Sequence, residues 1–266
     1  MRRLAPLLLL AACKPVETLP DDVDGVFHWL WDHHDEGLSA DLADGVTHLD
    51  AALGGASLVA PTDGTISRLT ADEVIPIGVT DRDPAKAAGI FLGNRIDCGP
   101  QKVAEIFTHP DQDVLYPGVY DDFLRTYHGD RDAWLAGDID TLEWSLDYTT
   151  SVLGSAYTAH TEATLRRVRP DPSADAPFEQ AYLVRFVAPE PAVFDGDSGK
   201  SFDQDYQFEV YWSRSDGETL HAYAMWREAN WGLGFTSEDE GVQRLLLNNM
   251  AGWDADTETI CADGGP

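Results

Sequence analysis

Two stretches near the end of the chain alternate polar and apolar residues with a period of two. Asp205, Gln207, Glu209 and Ser213 alternate with Tyr206, Phe208, Val210 and Trp212. His221, Tyr223 and Arg227 share one parity against Leu220, Ala222, Ala224 and Trp226. Successive side chains of a strand point to opposite faces, so each stretch sorts its titratable groups onto one side. If that side looks into a cleft, His221 can act as a general base or ligand donor. The competing reading is a solvated sheet face with cross-strand charge pairs, since alternation does not say which face is inward. His221, Tyr223 and Arg227 are taken as the candidate polar site.

Other chemistry-bearing patterns fail on spacing. Gly199-Lys200-Ser201 ends like a phosphate-binding loop, but that loop needs a glycine five positions before Gly199, where Phe194 stands. Gly196-Asp197-Ser198-Gly199 resembles the nucleophile segment of trypsin-like proteases, yet Lys200 follows and no matching upstream histidine segment occurs. Asp195 and Asp197 have calcium-loop alternation. Counted from Asp195, the glycine and glutamate positions of an EF-hand hold Lys200 and Tyr206. The segment therefore reads as a polar inter-strand loop. His28, His33, His34 and His48 cluster in sequence, but spacings of five and six turn the rings to different sides of a helix. No catalytic residue, metal ligand or cofactor is assigned.

The elements that would position the candidate site follow from periodicity. Val23, Val26, Phe27, Leu30 and Trp31 recur at helical spacing, as do Leu42, Val46, Leu49 and Leu53. They predict an antiparallel helical hairpin over roughly 22–36 and 40–53. Thr70 and Glu73 have the form of a capping box, as do Ser237 and Glu240 at the head of a final helix bearing Val242, Leu246, Met250 and Trp253. Six strands are expected, over 89–97, 142–148, 157–169, 180–188, 203–214 and 218–227, with short helices at 100–107, 119–127 and 132–136. Ser215-Asp216-Gly217 supplies a hairpin turn between the last two strands. Hairpin-ordered strands with segregated helices make an α+β fold: a helical hairpin, then an antiparallel sheet of about six strands packed on a C-terminal helix.

The stretch RIDCGPQKVAEIFTHPDQDVLYPGVYDDF (Arg95 to Phe123), with the element order over roughly 88–255, resembles the START/Bet v1-like helix-grip superfamily. That resemblance implies a curved sheet wrapped round the C-terminal helix and an apolar cavity between them. The front of the chain, MRRLAPLLLLAAC, has two arginines, a short apolar run and Leu10-Ala11-Ala12-Cys13. The run is too short to cross a bilayer and reads as an export signal. Its end resembles the lipobox of bacterial lipoproteins, which implies a diacylglycerol on Cys13 and cleavage before it. Lys14, rather than aspartate, follows the cysteine and points to the outer rather than the inner membrane. The expected organisation is a signal peptide at 1–12, a spacer at 13–22, a helical subdomain at 23–80, an antiparallel α+β domain at 88–255 and a tail at 256–266.

Cys98 and Cys261 remain once Cys13 is set aside. An oxidising compartment favours a bridge between them over two separate buried thiols. It would close 163 residues of chain, and loop entropy assigns such a bridge about 4–5 kcal/mol. Aspartate and glutamate number 47 against 18 lysines and arginines, a formal net charge of −29. Such a surface repels phosphate backbones, so nucleic acid is not an expected partner. The expected role is a lipid-anchored bacterial envelope protein that binds a hydrophobic small molecule or an envelope partner. Two alternatives remain: an envelope enzyme using His221 or carboxylates as acid and base, and a calcium-dependent surface module.

Overall fold

The computed structural model describes residues 18–265, apart from 153–154, 197–198 and 216. The signal segment and Cys13 lie outside the described residues. The chain opens with α1 (Val23–His33) and α2 (Ser39–Ala52). Asp22 caps α1, its carboxylate accepting from the Gly25 amide at 2.9 Å. The strand β1 (Thr62–Ile66) and the single turn α3 (Ala71–Val74) follow. The Thr70–Glu73 capping box forms, with the Glu73 carboxylate accepting from the Thr70 amide at 2.6 Å. Next come β2 (Ala88–Ile96), α4 (Pro100–Phe107), α5 (Gln112–Leu115), β3 (Asp122–Tyr127) and α6 (Arg131–Ala136). The chain then runs through β4 (Thr141–Val152), β5 (Ser155–Val168), β6 (Ala181–Val187), β7 (Val193–Phe194), β8 (Ser201–Ser215), β9 (Glu218–Gly232), β10 (Phe235–Thr236) and α7 (Glu240–Ala262).

The strands make one antiparallel sheet in the order β1-β2-β9-β8-β6-β5-β4-β3, with β10 on β9 and β7 on β5. The fold is α+β, as the sequence implies, but among the described residues the sheet has ten strands where six are expected. β1 lies between the elements expected from periodicity, and β7 and β10 are two-residue strands too short to show a period. A helix was expected over 119–127, because Val119, Tyr120, Phe123, Leu124 and Tyr127 mimic helical spacing. Instead, 122–127 is β3, paired with β4 from Asp122↔Thr149 to Tyr127↔Trp144. Pairing to a sheet edge outweighs a short local pattern. The Ser237–Glu240 box does not form: α7 begins at Glu240, and Asp239 accepts from the Thr236 amide at 2.6 Å. Residues 256–262, expected as tail, continue α7.

Period-two alternation splits the sheet into two unlike faces. Tyr206, Phe208, Val210 and Trp212 of β8, with Leu220, Ala222, Ala224 and Trp226 of β9, pack against Val26, Phe27, Leu30 and Trp31 of α1 and Leu42, Val46 and Leu49 of α2. All are buried. The helical hairpin and β1 thus share one core with the sheet. Trp31 donates to the Glu73 carbonyl at 3.0 Å and Trp226 to the Ser67 carbonyl at 2.7 Å, so the two buried indoles are satisfied. The opposite face carries α7, whose Leu247 and Met250 pack on Ile90, Leu92, Tyr223 and Met225. A disulfide joins Cys98, in the turn between β2 and α4, to Cys261 near the end of α7, with the Cα atoms 6.0 Å apart. It ties that helix to the sheet. No described helix is long and apolar enough to cross a membrane.

Candidate functional site

The face under α7 is not filled. A cavity of about 330 Å³ lies between it and the helix, at the lower end of the range for small-molecule sites, roughly 300–1,000 Å³. Seven neighbouring strands reach it, through Ile96 of β2, His221 of β9, Glu209 of β8, Phe186 of β6, Thr161 of β5, Leu146 of β4 and Arg125 of β3. Laid flat at about 4.8 Å per step, seven strands would span nearly 30 Å. Their convergence on so small a void means that the sheet curls around α7, as the helix-grip resemblance implies. Tyr116 and Trp253 close part of the wall, their rings stacked 4.4 Å apart.

The three residues singled out from the sequence, His221, Tyr223 and Arg227, all line this cavity. Register explains how: Tyr211 pairs with His221, Glu209 with Tyr223, Gln207 with Met225 and Asp205 with Arg227. The polar parity of both strands therefore lies on one face, and that face is buried rather than solvated. Ser213, of the same parity, does not line the cavity.

These groups form two hydrogen-bonded clusters. In the first, Arg227 donates from Nε and Nη2 to the two Asp205 oxygens at 2.8 and 3.0 Å. Gln207 donates to Asp205 Oδ2 at 2.5 Å, and the Tyr223 hydroxyl donates to Gln207 Oε1 at 2.5 Å. Burial alone would lower the Arg227 pKa, but Asp205 more than compensates and raises it. Arg227 is thus held as a cation against Asp205.

In the second cluster, His221 Nδ1 donates to Asp254 Oδ1 of α7 at 2.8 Å. Its Nε2 lies 3.4 Å from Glu209 Oε2 without the alignment of a hydrogen bond. The Tyr211 hydroxyl donates to Glu209, and the Tyr211 ring lies flat on the imidazole, centroids 4.1 Å apart. Asn94 donates to the other Asp254 oxygen at 2.8 Å. Burial works to lower the His221 pKa, but Asp254 and then Glu209 outweigh it and lift it to about 9. That favours the imidazolium at neutral pH. A general base needs a free lone pair, so a protonated ring weighs against the general-base alternative for His221.

Sequence reasoning missed Asp254 and Arg125. Asp254 stands four residues after Met250 on the buried side of α7, and an acidic residue at core spacing was the available signal. Arg125 lay in the segment misread as helix. The histidines near the N-terminus are placed apart from the cavity. His28 bonds Glu73, His34 is buried against Asp35 and the Leu183 carbonyl, His33 stacks on Trp29, and His48 meets the Pro20 carbonyl. Among the described residues no group of three His, Cys, Asp or Glu side chains is arranged to hold a metal ion.

No family model matches the chain, and no curated protein matches it. Three similar solved structures are distant. A START superfamily protein from Mycobacterium smegmatis aligns at 8% identity and a TM-score of 0.41, covering 66% of this chain and 97% of that one. Human STARD10 aligns at 6% identity and 0.43, covering 77% and 71%. A STAR-related lipid transfer protein from Xanthomonas axonopodis aligns at 10% identity and 0.38, covering 66% and 86%.

Proposed function

We propose that this chain is a binding protein for a small amphiphilic molecule held between the sheet and α7. The observation that carries the reading is the 330 Å³ cavity, walled largely by aliphatic and aromatic side chains with a few fixed polar groups. Close-packed interiors do not leave voids of that size without a purpose or a cost. The opposite face of the same strands shows that this sequence can pack densely. The imidazolium state of His221 and the closed Asp205–Arg227 pair favour binding over acid–base turnover, because both clusters are already hydrogen-bonded.

The Cys13 lipidation expected from the sequence would tether this binding body to the bacterial envelope, with the outer membrane as the favoured site. Its excess of aspartate and glutamate over lysine and arginine would hold it off anionic headgroups. Palmitate labelling of the full chain and of Cys13→Ser addresses the anchor separately from the cavity.

The cavity reading is tested on the full chain purified under native conditions. Organic extraction followed by mass spectrometry should release an amphiphile in near-stoichiometric amount. Leu246→Trp, which places an indole in the cavity, should abolish that release while the protein still melts cooperatively. An empty wild-type protein that also fails to take up a neutral apolar fluorophore would end the reading.

A further inference from the structure

Three cationic side chains line the cavity, and two are neutralised where they stand. Arg227 is paired with Asp205, and His221 lies between Asp254 and Glu209. Arg125 is the exception. It is 9% exposed, and no carboxylate lies within ion-pairing distance among the described residues. Its Nη1 donates to the carbonyls of Phe107 and His109, both at 2.9 Å, while its Nε is buried without a partner. The guanidinium sits 5.0 Å from the Trp144 ring centroid and 5.7 Å from that of Phe123. Burial lowers its pKa, and the Tyr127 hydroxyl offsets that only in part.

Position adds a second observation. Arg125 pairs across the sheet with Leu146, and Leu146 with Thr161, whose buried hydroxyl also lacks a partner. In strand order Arg125 and His221 stand five steps apart, on β3 and β9. The cation without a paired carboxylate and the acid-rich cluster therefore stand on strands five steps apart in the sheet. An anionic head is attracted to one and repelled from the other.

We infer that Arg125 is the headgroup subsite, and that the amphiphile carries an anionic oxyacid head, a carboxylate or phosphate, with its apolar body against Phe107, Leu146 and Phe186. This inference rests on the cavity reading and narrows it to a class of ligand. A charge-assisted hydrogen bond in a dry site discriminates an anion from a neutral head of equal chain length by about tenfold or more.

The fold supplies a control. Arg167 is also buried over aromatic rings, 4.7 Å from the Trp134 centroid, with Nε and Nη1 unpartnered, but it does not line the cavity. The full chain is loaded with neutral N-phenylnaphthylamine and titrated at neutral pH with decanoate, decyl phosphate, decanol and decyltrimethylammonium. Either acid should displace the fluorophore at about tenfold lower concentration than decanol. Arg125→Gln, which keeps an amide for the two carbonyls, should erase that preference while decanol binding persists. Arg125→Lys should retain part of it, and Arg167→Gln should leave it intact. Equal displacement by all heads, a preference for the cation, or an acid preference that survives Arg125→Gln overturns the headgroup assignment and leaves the cavity reading standing. Failure of every probe to bind overturns both.

Discussion

The two faces of β8 and β9 belong to the same residues of chain, one position out of step, yet they are built on opposite principles. Facing α1 and α2, Phe208, Val210, Trp212 and Trp226 interdigitate with helix side chains and leave no water-accessible gap at their surfaces. Facing α7, Glu209, His221 and Arg227, the last paired with Asp205, line a void. The filled face is stabilised by apolar burial, about 25 cal/mol per Å² removed from water. The hollow face spends stability on buried charges, which break even only when paired. A sheet can hold a cavity on one side because its other side, and the disulfide at the end of α7, hold the architecture. The sheet thus separates scaffold from site by parity rather than by domain.

The largest effect that sharpens this contrast is expected from Leu183→Ala on β6. Its side chain is fully buried in the filled face, and truncation there should cost about 4 kcal/mol by urea unfolding, because the neighbours cannot close the gap. A loss near 1 kcal/mol would mean that this face is looser than its geometry.

A smaller effect comes from His221. Its folded pKa of about 9 exceeds the ordinary 6.5, so the protonated ring favours the folded state. That contribution is complete below about pH 6.5 and disappears as pH rises through about 9; it is on the order of 3 kcal/mol. His28, also raised because Glu73 outweighs its burial, adds a slope of the same sign. The readout is therefore the difference between wild type and His221→Gln across that window. Parallel curves would show that the imidazole is not held as a cation by Asp254 and Glu209.

The smallest effect is expected from Leu146→Ala. This leucine, nearly as buried as Leu183, borders the void. One side of it already lacks packing partners, so truncation should cost only about 2 kcal/mol. It should also enlarge the site, visible as stronger uptake of bulkier fluorophores. Equal costs for the two leucines would erase the distinction between the faces.

Much of the scaffold was legible because it depends on short-range regularities. The two N-terminal helices, the Thr70 capping box, all six of the expected strands and the polar parity of 205–227 follow from residue spacing along a few turns or pleats. β3 was not, since an edge strand of six residues carries too weak a pattern to compete with an accidental helical one. Asp254 could be seen only as an oddity, because its partner His221 is 33 residues away in sequence.

By itself the amino-acid order determined the class of fold, the alternation that gathers His221, Tyr223 and Arg227, and an even pair of cysteines suited to a bridge. Tertiary structure decided that the polar side of the sheet faces inward, that a helix from the far end of the chain closes over it, and that Arg125 has no counter-charge among the described residues. Alternation fixes which residues share a side. Only the packing of distant elements fixes what that side touches, and charge compensation in a low-dielectric interior depends on contact rather than on sequence.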